Sequence, residues 1–203
     1  PKATYDLFIG EGITTISGNQ DRQIVEATQT ELEDNLTMAF IHQDLGQAPI
    51  EWMKNLPFDH QLSPEVYLCH GTPKDDLIYL LEKVTLGSPQ LRQDRDFLTL
   101  LGQQNSDVVL CGHTHIPRTV ALTSAQLVVN PGSVGLQAYS DDLPVAHSME
   151  NYSPHARYAM VEKTKTGWQV EHIQLTYNVG SAAKAAKLHG RDDWASILLA
   201  GRA

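Results

Sequence analysis

Two histidines one residue apart, His113 and His115, follow an apolar run that ends in Leu110-Cys111-Gly112. Imidazoles at the end of a strand that reads as buried, behind a glycine that lets backbone approach closely, point to a metal ion. Two further stretches end in the same manner. Ile16-Ser17-Gly18 runs into Asn19, and Leu68-Cys69 runs into His70 with Gly71 behind it. Open α/β sheets hold their ligands beyond the carboxyl ends of the strands, so three such strands side by side bring Asn19, His70, His113 and His115 to one spot. His113 and His115 then serve one ion or two adjacent ones, according to how the backbone bends. Imidazole nitrogens with a carboxamide oxygen suit a borderline divalent ion such as Mn, Fe, Ni or Zn, and suit calcium or magnesium less well. Taken singly each residue is ordinary: Asn19 reads as a turn asparagine, and His70 more often as structural than as a ligand.

Elements that position these groups are legible from periodicity. Residues 5–9 and 13–17 read as short apolar strands, 66–69 and 107–111 as buried strands, and 118–122 with 126–130 as a strand pair. Residues 23–45 read as surface helix, and a short helix opens at Pro49 and stops at Pro57. Asp75-Asp76 opens a helix carrying Leu77, Leu80, Leu81 and Val84, broken at Gly87-Ser88-Pro89; another spans 90–103 with Leu91, Phe97, Leu98 and Leu101. Residues 157–162 and 168–175 form a hairpin, and 181–200 a helical tail interrupted at Gly190. Strands alternate with helices early and cluster late, the signature of one mixed α/β domain over residues 1–203.

Composition narrows the function. With 24 acidic and 15 basic side chains the chain carries a formal charge of −9, so it lacks the basic stripe of a nucleic-acid binder. A small phosphorylated molecule remains a suitable partner if metal ions supply the positive charge. Cys69 and Cys111 sit among apolar residues and read as buried free thiols, which argues against a disulfide scaffold. There is no signal peptide and no apolar run of membrane-spanning length, so no membrane partner is expected and the cytoplasm is the expected compartment. Composition leaves the oligomeric state open.

Taken together, Gly18-Asn19-Gln20-Asp21, Cys69-His70-Gly71, Gly112-His113-Thr114-His115 and Asn130-Pro131-Gly132-Ser133 resemble the calcineurin-like metallophosphoesterase superfamily, in its small bacterial phosphodiesterase branch. That resemblance implies a four-layer α/β/β/α sandwich with two sheets stacked face to face and two divalent metal ions at one edge. It implies that Asn19, His70 and His113 bind one ion and His115 the other, with Asn130 to Ser133 a structural loop nearby. The implied activity is hydrolysis of a phosphodiester or phosphomonoester by a metal-activated hydroxide, with Asn19 and His113 acting through the metal.

Two departures stand out. The resemblance also calls for an Asp-x-His block and a Gly-Asp block ahead of Asn19. Asp6 is followed by Leu7-Phe8, and Gly10-Glu11 lies too near Asn19 to supply the bridge. Early segments of the protein are therefore expected outside these 203 residues. The second departure is Gln20, where many relatives carry a histidine that protonates the leaving group; a carboxamide cannot act as a general acid near neutral pH. Asp21 is expected to orient a ligand and not to serve as the acid. The alternative is a degenerate, non-catalytic relative that binds metal or regulates. His42, His60, His155, His172 and His189 read as surface or structural, as does His147, although the loop that holds His147 and His155 could overhang the site. Arg22 is as good a surface residue as a phosphate ligand.

Overall fold

A computed structural model describes residues 1–203. Helices come first: α1 (Lys2–Gly10), α2 (Asn19–Glu26), α3 (Gln29–Asp34), α4 (Leu36–Leu45) and α5 (Gln47–Lys54). Strands β1 (Asp59–Ser63), β2 (Val66–Cys69), β3 (Glu82–Thr85) and β4 (Ser88–Leu91) lead to helix α6 (Asp94–Leu101). Then follow β5 (Val108–Leu110), β6 (Arg118–Ala121), β7 (Leu127–Asn130), β8 (Ala138–Asp141), β9 (His147–Glu150), β10 (Ala156–Thr164) and β11 (Gly167–Leu175). Helices α7 (Val179–Leu188) and α8 (Asp192–Ala200) close the chain. No helix is long and apolar enough to cross a membrane.

The central sheet has the order β1-β2-β5-β7-β6, with β2, β5 and β7 parallel and β1 and β6 antiparallel at its edges. Its register explains the core. Val66, Val108 and Leu127 lie in one row, Tyr67, Val109 and Val128 in the next, Leu68, Leu110 and Val129 in the third. Because side chains alternate across a strand, successive rows face opposite sides of the sheet. The middle row, with Cys69 and Cys111, packs against Phe97 and Leu101 of α6 and against Leu80 and Leu81. The outer two rows pack against Ala159, Val161, Trp168 and Val170 of the β10–β11 hairpin. Helix, sheet and second sheet are therefore stacked in that order, the mixed α/β architecture expected. Each fully buried Val or Phe contributes about 1.5–3 kcal/mol. Both cysteines are buried and unpaired, and burial pushes the Cys69 thiol up to about 12.

Several sequence readings need correction. Residues 5–9 are helical, not a strand: the run is too short for periodicity to decide, and Tyr5 packs edge-on against Trp52, ring centroids 5.4 Å apart. Residues 13–17 have no ladder partner, and Ser17 N–H donates to Pro57 O at 2.8 Å. The helix from Asp75 does not form. Thr72 Oγ1 accepts from Asp75 N–H at 3.0 Å, and Asp75 Oδ1 accepts from Leu77 N–H at 2.8 Å and from Ile78 N–H at 3.2 Å. These side chains offer the backbone turn bonds in place of helical ones. The chain instead reaches the hairpin β3–β4, whose two-residue turn places Leu86 (φ 51°) and Gly87 (φ 75°) in the left-handed region. That hairpin consumes the start of the helix expected at 90–103, which begins at Asp94.

Candidate metal centre

Helix α2 starts on the site. Gly18 N–H donates to Asp21 Oδ2 at 2.8 Å, so the carboxylate reaches back over the first turn and fixes Asn19 as its opening residue. Burial raises the Asp21 pKa more than this bond lowers it. Asn19 Oδ1 stands 2.9 Å from His70 Nε2, at the end of β2. The His70 ring fills the space beside Gly18: a β-carbon there would lie 2.8 Å from Nδ1. Gly71 is required too, since a β-carbon would meet Asp75 O at 2.6 Å and Ile78 O at 2.7 Å.

His113 follows β5, its ring centroid 5.0 Å from that of His70 and 4.6 Å from that of Tyr79. Both His113 (φ 67°) and His115 (φ 60°) adopt the left-handed backbone, which costs a non-glycine residue roughly 1–2 kcal/mol. Neighbouring groups hold that conformation in place. Tyr139 O–H donates to His113 O at 3.1 Å, Asn151 Nδ2 donates to His115 O at 2.8 Å, and Thr114 between them is buried. Asn130, fully buried, donates from Nδ2 to Gly112 O at 2.7 Å and Thr114 Oγ1 at 3.1 Å, while its Oδ1 accepts from Gly132 N–H at 2.9 Å. The loop from Asn130 to Ser133 thus staples the histidine turn to the end of β7.

The imidazoles share one pattern. His113 Nε2–H donates to Leu77 O at 3.1 Å, and His115 Nδ1–H to Leu136 O at 2.8 Å. His70 Nε2–H faces Asn19 Oδ1. A carbonyl oxygen can only accept, so His113 and His115 are each left with one nitrogen bearing a free lone pair, the arrangement that orients a metal-ligating histidine, whereas Nδ1 of His70 packs against Gly18. Burial favours the neutral rings: it is the first cause of the fall to about 4 for both His70 and His115, and of the lowered value at His113. In donor chemistry the set fits a borderline divalent ion at neutral pH. In geometry the fit is partial. No group of three or more His, Cys, Asp or Glu side chains stands close enough together to hold an ion. No carboxylate joins the set, as Asp6 pairs with Lys2 and Glu11 is exposed at the end of α1.

Asn19, Gln20 and His113 line a common cleft of about 540 Å³, to which Tyr79 and Leu143 also contribute. His115 lies outside that lining, its ring edge-on to Tyr139 at 5.1 Å. Gln20 is exposed and donates to Gln23 Oε1 at 2.9 Å. Arg22 is engaged in a two-point pair with buried Asp76, at 2.8 and 2.9 Å, and is not free for phosphate. His147 is buried, with Nε2 2.9 Å from the Tyr79 hydroxyl, and so braces the wall of the cleft. Tyr79, Tyr139 and Asn151 were invisible in the sequence as site residues. They lie in segments read as helix or loop, and only the fold brings them to the histidines.

A calcineurin-like phosphoesterase superfamily domain matches residues 2–149, and the chain belongs to that superfamily. Its structure is similar to that of the hypothetical protein PH1004 from Pyrococcus horikoshii OT3 (TM-score 0.72, 16% identity, covering 98% of this chain and 77% of that one). It is also similar to a metallophosphoesterase from Sphaerobacter thermophilus (TM-score 0.68, 16% identity, 92% of this chain and 76% of that one). At such identity these likenesses establish the fold. No curated protein matches the sequence.

Proposed function

We propose that this protein hydrolyses a phosphodiester or phosphomonoester bond of a small phosphorylated molecule, with two divalent ions (Mn, Fe, Ni or Zn) as cofactor. The observation that carries this reading is the set of three imidazoles, His113 buried and His70 and His115 half-buried, each with one nitrogen facing an oxygen and two of them on strained backbone. Strain of that kind persists where surrounding structure holds it, and it clusters at functional sites. His70, His113, His115 and Asn19 would hold the metal. Bound divalent ions polarise the phosphoryl group and lower the pKa of water. The chain's own part is to present neutral nitrogen donors, to keep their rings oriented through Leu77 and Leu136, and to wall the cleft with Tyr79 and Leu143.

Elemental mass spectrometry on protein purified without chelator, followed by turnover of bis(4-nitrophenyl) phosphate and 4-nitrophenyl phosphate with excess Mn, tests the proposal. About two equivalents of metal and turnover abolished by His113→Ala are expected. Absence of turnover at full metal occupancy would overturn it. A second reading, a non-catalytic metal-binding relative, is favoured by Gln20 in place of a proton donor; it requires metal uptake without turnover.

A further inference from the structure

The cleft lined by Asn19 and His113 is also lined by Lys83 of β3 and by Arg92, just after β4. Neither makes an ion pair, although acidic residues outnumber basic ones in this chain. The acids near Arg92, Glu82 and Asp96, make their ion pairs with other residues: Glu82 Oε1 accepts from Arg118 Nε at 2.9 Å, and Asp96 stands 3.6 Å from Arg95. Arg92 Nε–H donates to Tyr79 O at 3.1 Å. That bond fixes the plane of the guanidinium and leaves both terminal nitrogens for a ligand. A single carboxylate, Asp141, belongs to the same lining, so cations outnumber anions there.

Half-buried cations without an ion pair of their own leave donors for an anionic ligand. A planar guanidinium and an ammonium lining one cleft suit a tetrahedral or planar oxyanion, the guanidinium through paired N–H donors and the ammonium as a point charge. We infer that Lys83 and Arg92 form a second anion subsite, and that the substrate carries a non-reacting phosphate or carboxylate in addition to the phosphoester at the Asn19–His113 end. The identity of the first group rests on the proposed function; the subsite itself does not.

The test is calorimetric titration of the chelator-treated full chain with tripolyphosphate and, separately, with tricarballylate. Binding of the first alone assigns a phosphate, and binding of both assigns any oxyanion. Lys83→Gln and Arg92→Gln should each weaken binding about tenfold, the size of one charge-assisted hydrogen bond. Arg92→Lys should retain part of the loss-prone affinity. Lys165→Gln, in the distant β10–β11 turn, should change nothing. Undiminished binding in the Lys83→Gln/Arg92→Gln double variant, or no binding to wild type at millimolar ligand, overturns the inference. Should the chelator-treated wild type bind tripolyphosphate while the metal-loaded protein hydrolyses no phosphoester, the functional reading fails and the subsite stands.

Discussion

The imidazole of His70 occupies the space that a side chain on Gly18 would need, with Nδ1 2.8 Å from the position of the missing β-carbon. One helix cap and one strand end are thereby locked together through an absent methyl group. The contact also places Asn19 Oδ1 within 2.9 Å of the same ring.

Gly18→Ala therefore has a specific expected outcome. Gly18 has φ −105°, so alanine fits the backbone and any penalty comes from the ring. His70 must move, and the Asn19 contact goes with it. Metal affinity should fall about 10–100-fold, as it does when groups that orient a ligand are disturbed. Titration with Mn by calorimetry measures this, and unchanged affinity would detach His70 from the metal.

Chelator-treated protein should lose stability on mild acidification. His70 and His115 have folded values near 4, below the ordinary 6.5, so the unfolded chain binds more protons between those limits. Stability from this source is complete above about pH 6.5 and declines as pH falls through 4, by up to about 3 kcal/mol per imidazole. Urea unfolding from pH 7 to pH 4 reads it, with a smaller decline expected for His70→Gln.

Glu82 is 1% exposed, with Oε1 held by Arg118 Nε at 2.9 Å and Oε2 without a partner. Desolvation raises its pKa against the pull of Arg118. Arg118→Ala removes the one ion pair of that buried carboxylate and should cost about 3 kcal/mol at pH 7. The deficit should be smaller at pH 5 than at pH 7, since burial raises the Glu82 pKa and acid favours loss of the buried charge. Equal deficits at both pH values would show that the loss is one of packing.

Asn130→Ala removes two donors and an acceptor at a fully buried position and orphans Gly132 N–H, while Gly112 O keeps its bond from Thr114 N–H. About 2–3 kcal/mol of stability should be lost. Hydrogen exchange should quicken at Gly132, whose N–H loses its acceptor, while the β10–β11 hairpin stays protected. A uniform change across the sheet would contradict the staple.

Gln20→His would put a titratable group at the mouth of the cleft. Under the hydrolase reading, kcat for 4-nitrophenyl phosphate should rise little, because its leaving group is acidic, whereas a phosphate of a basic alcohol should gain about tenfold or more. Parallel kcat values for the two substrates decide it; equal gains would mean that histidine here does not protonate the leaving group.

The sequence made the catalytic-looking corner legible because its signals are local. Buried apolar runs at 66–69 and 107–111 lead into His70 and, past Gly112, into His113, and the fold sets them side by side in register from Val66 to Val108. The late hairpin and the broken helical tail were equally plain, since alternation and Gly190 are strong marks. What failed was decided by tertiary contacts. Leu77, Leu80, Leu81 and Val84 have helical spacing, yet Thr72 and Asp75 capture the backbone N–H groups that a helix would need. Tyr79 and Tyr139 reach the histidines from segments remote in sequence, and no periodicity announces such a meeting.

The left-handed backbone at His113 and His115 sets stability and function against each other at the same two residues. Glycine would adopt those angles without strain, and asparagine tolerates them well. Either would remove an imidazole in doing so. Selection for a more robust fold alone would therefore erode this turn first, and the persistence of both histidines there is bought with rigidity elsewhere, in Asn130, Tyr139 and Asn151.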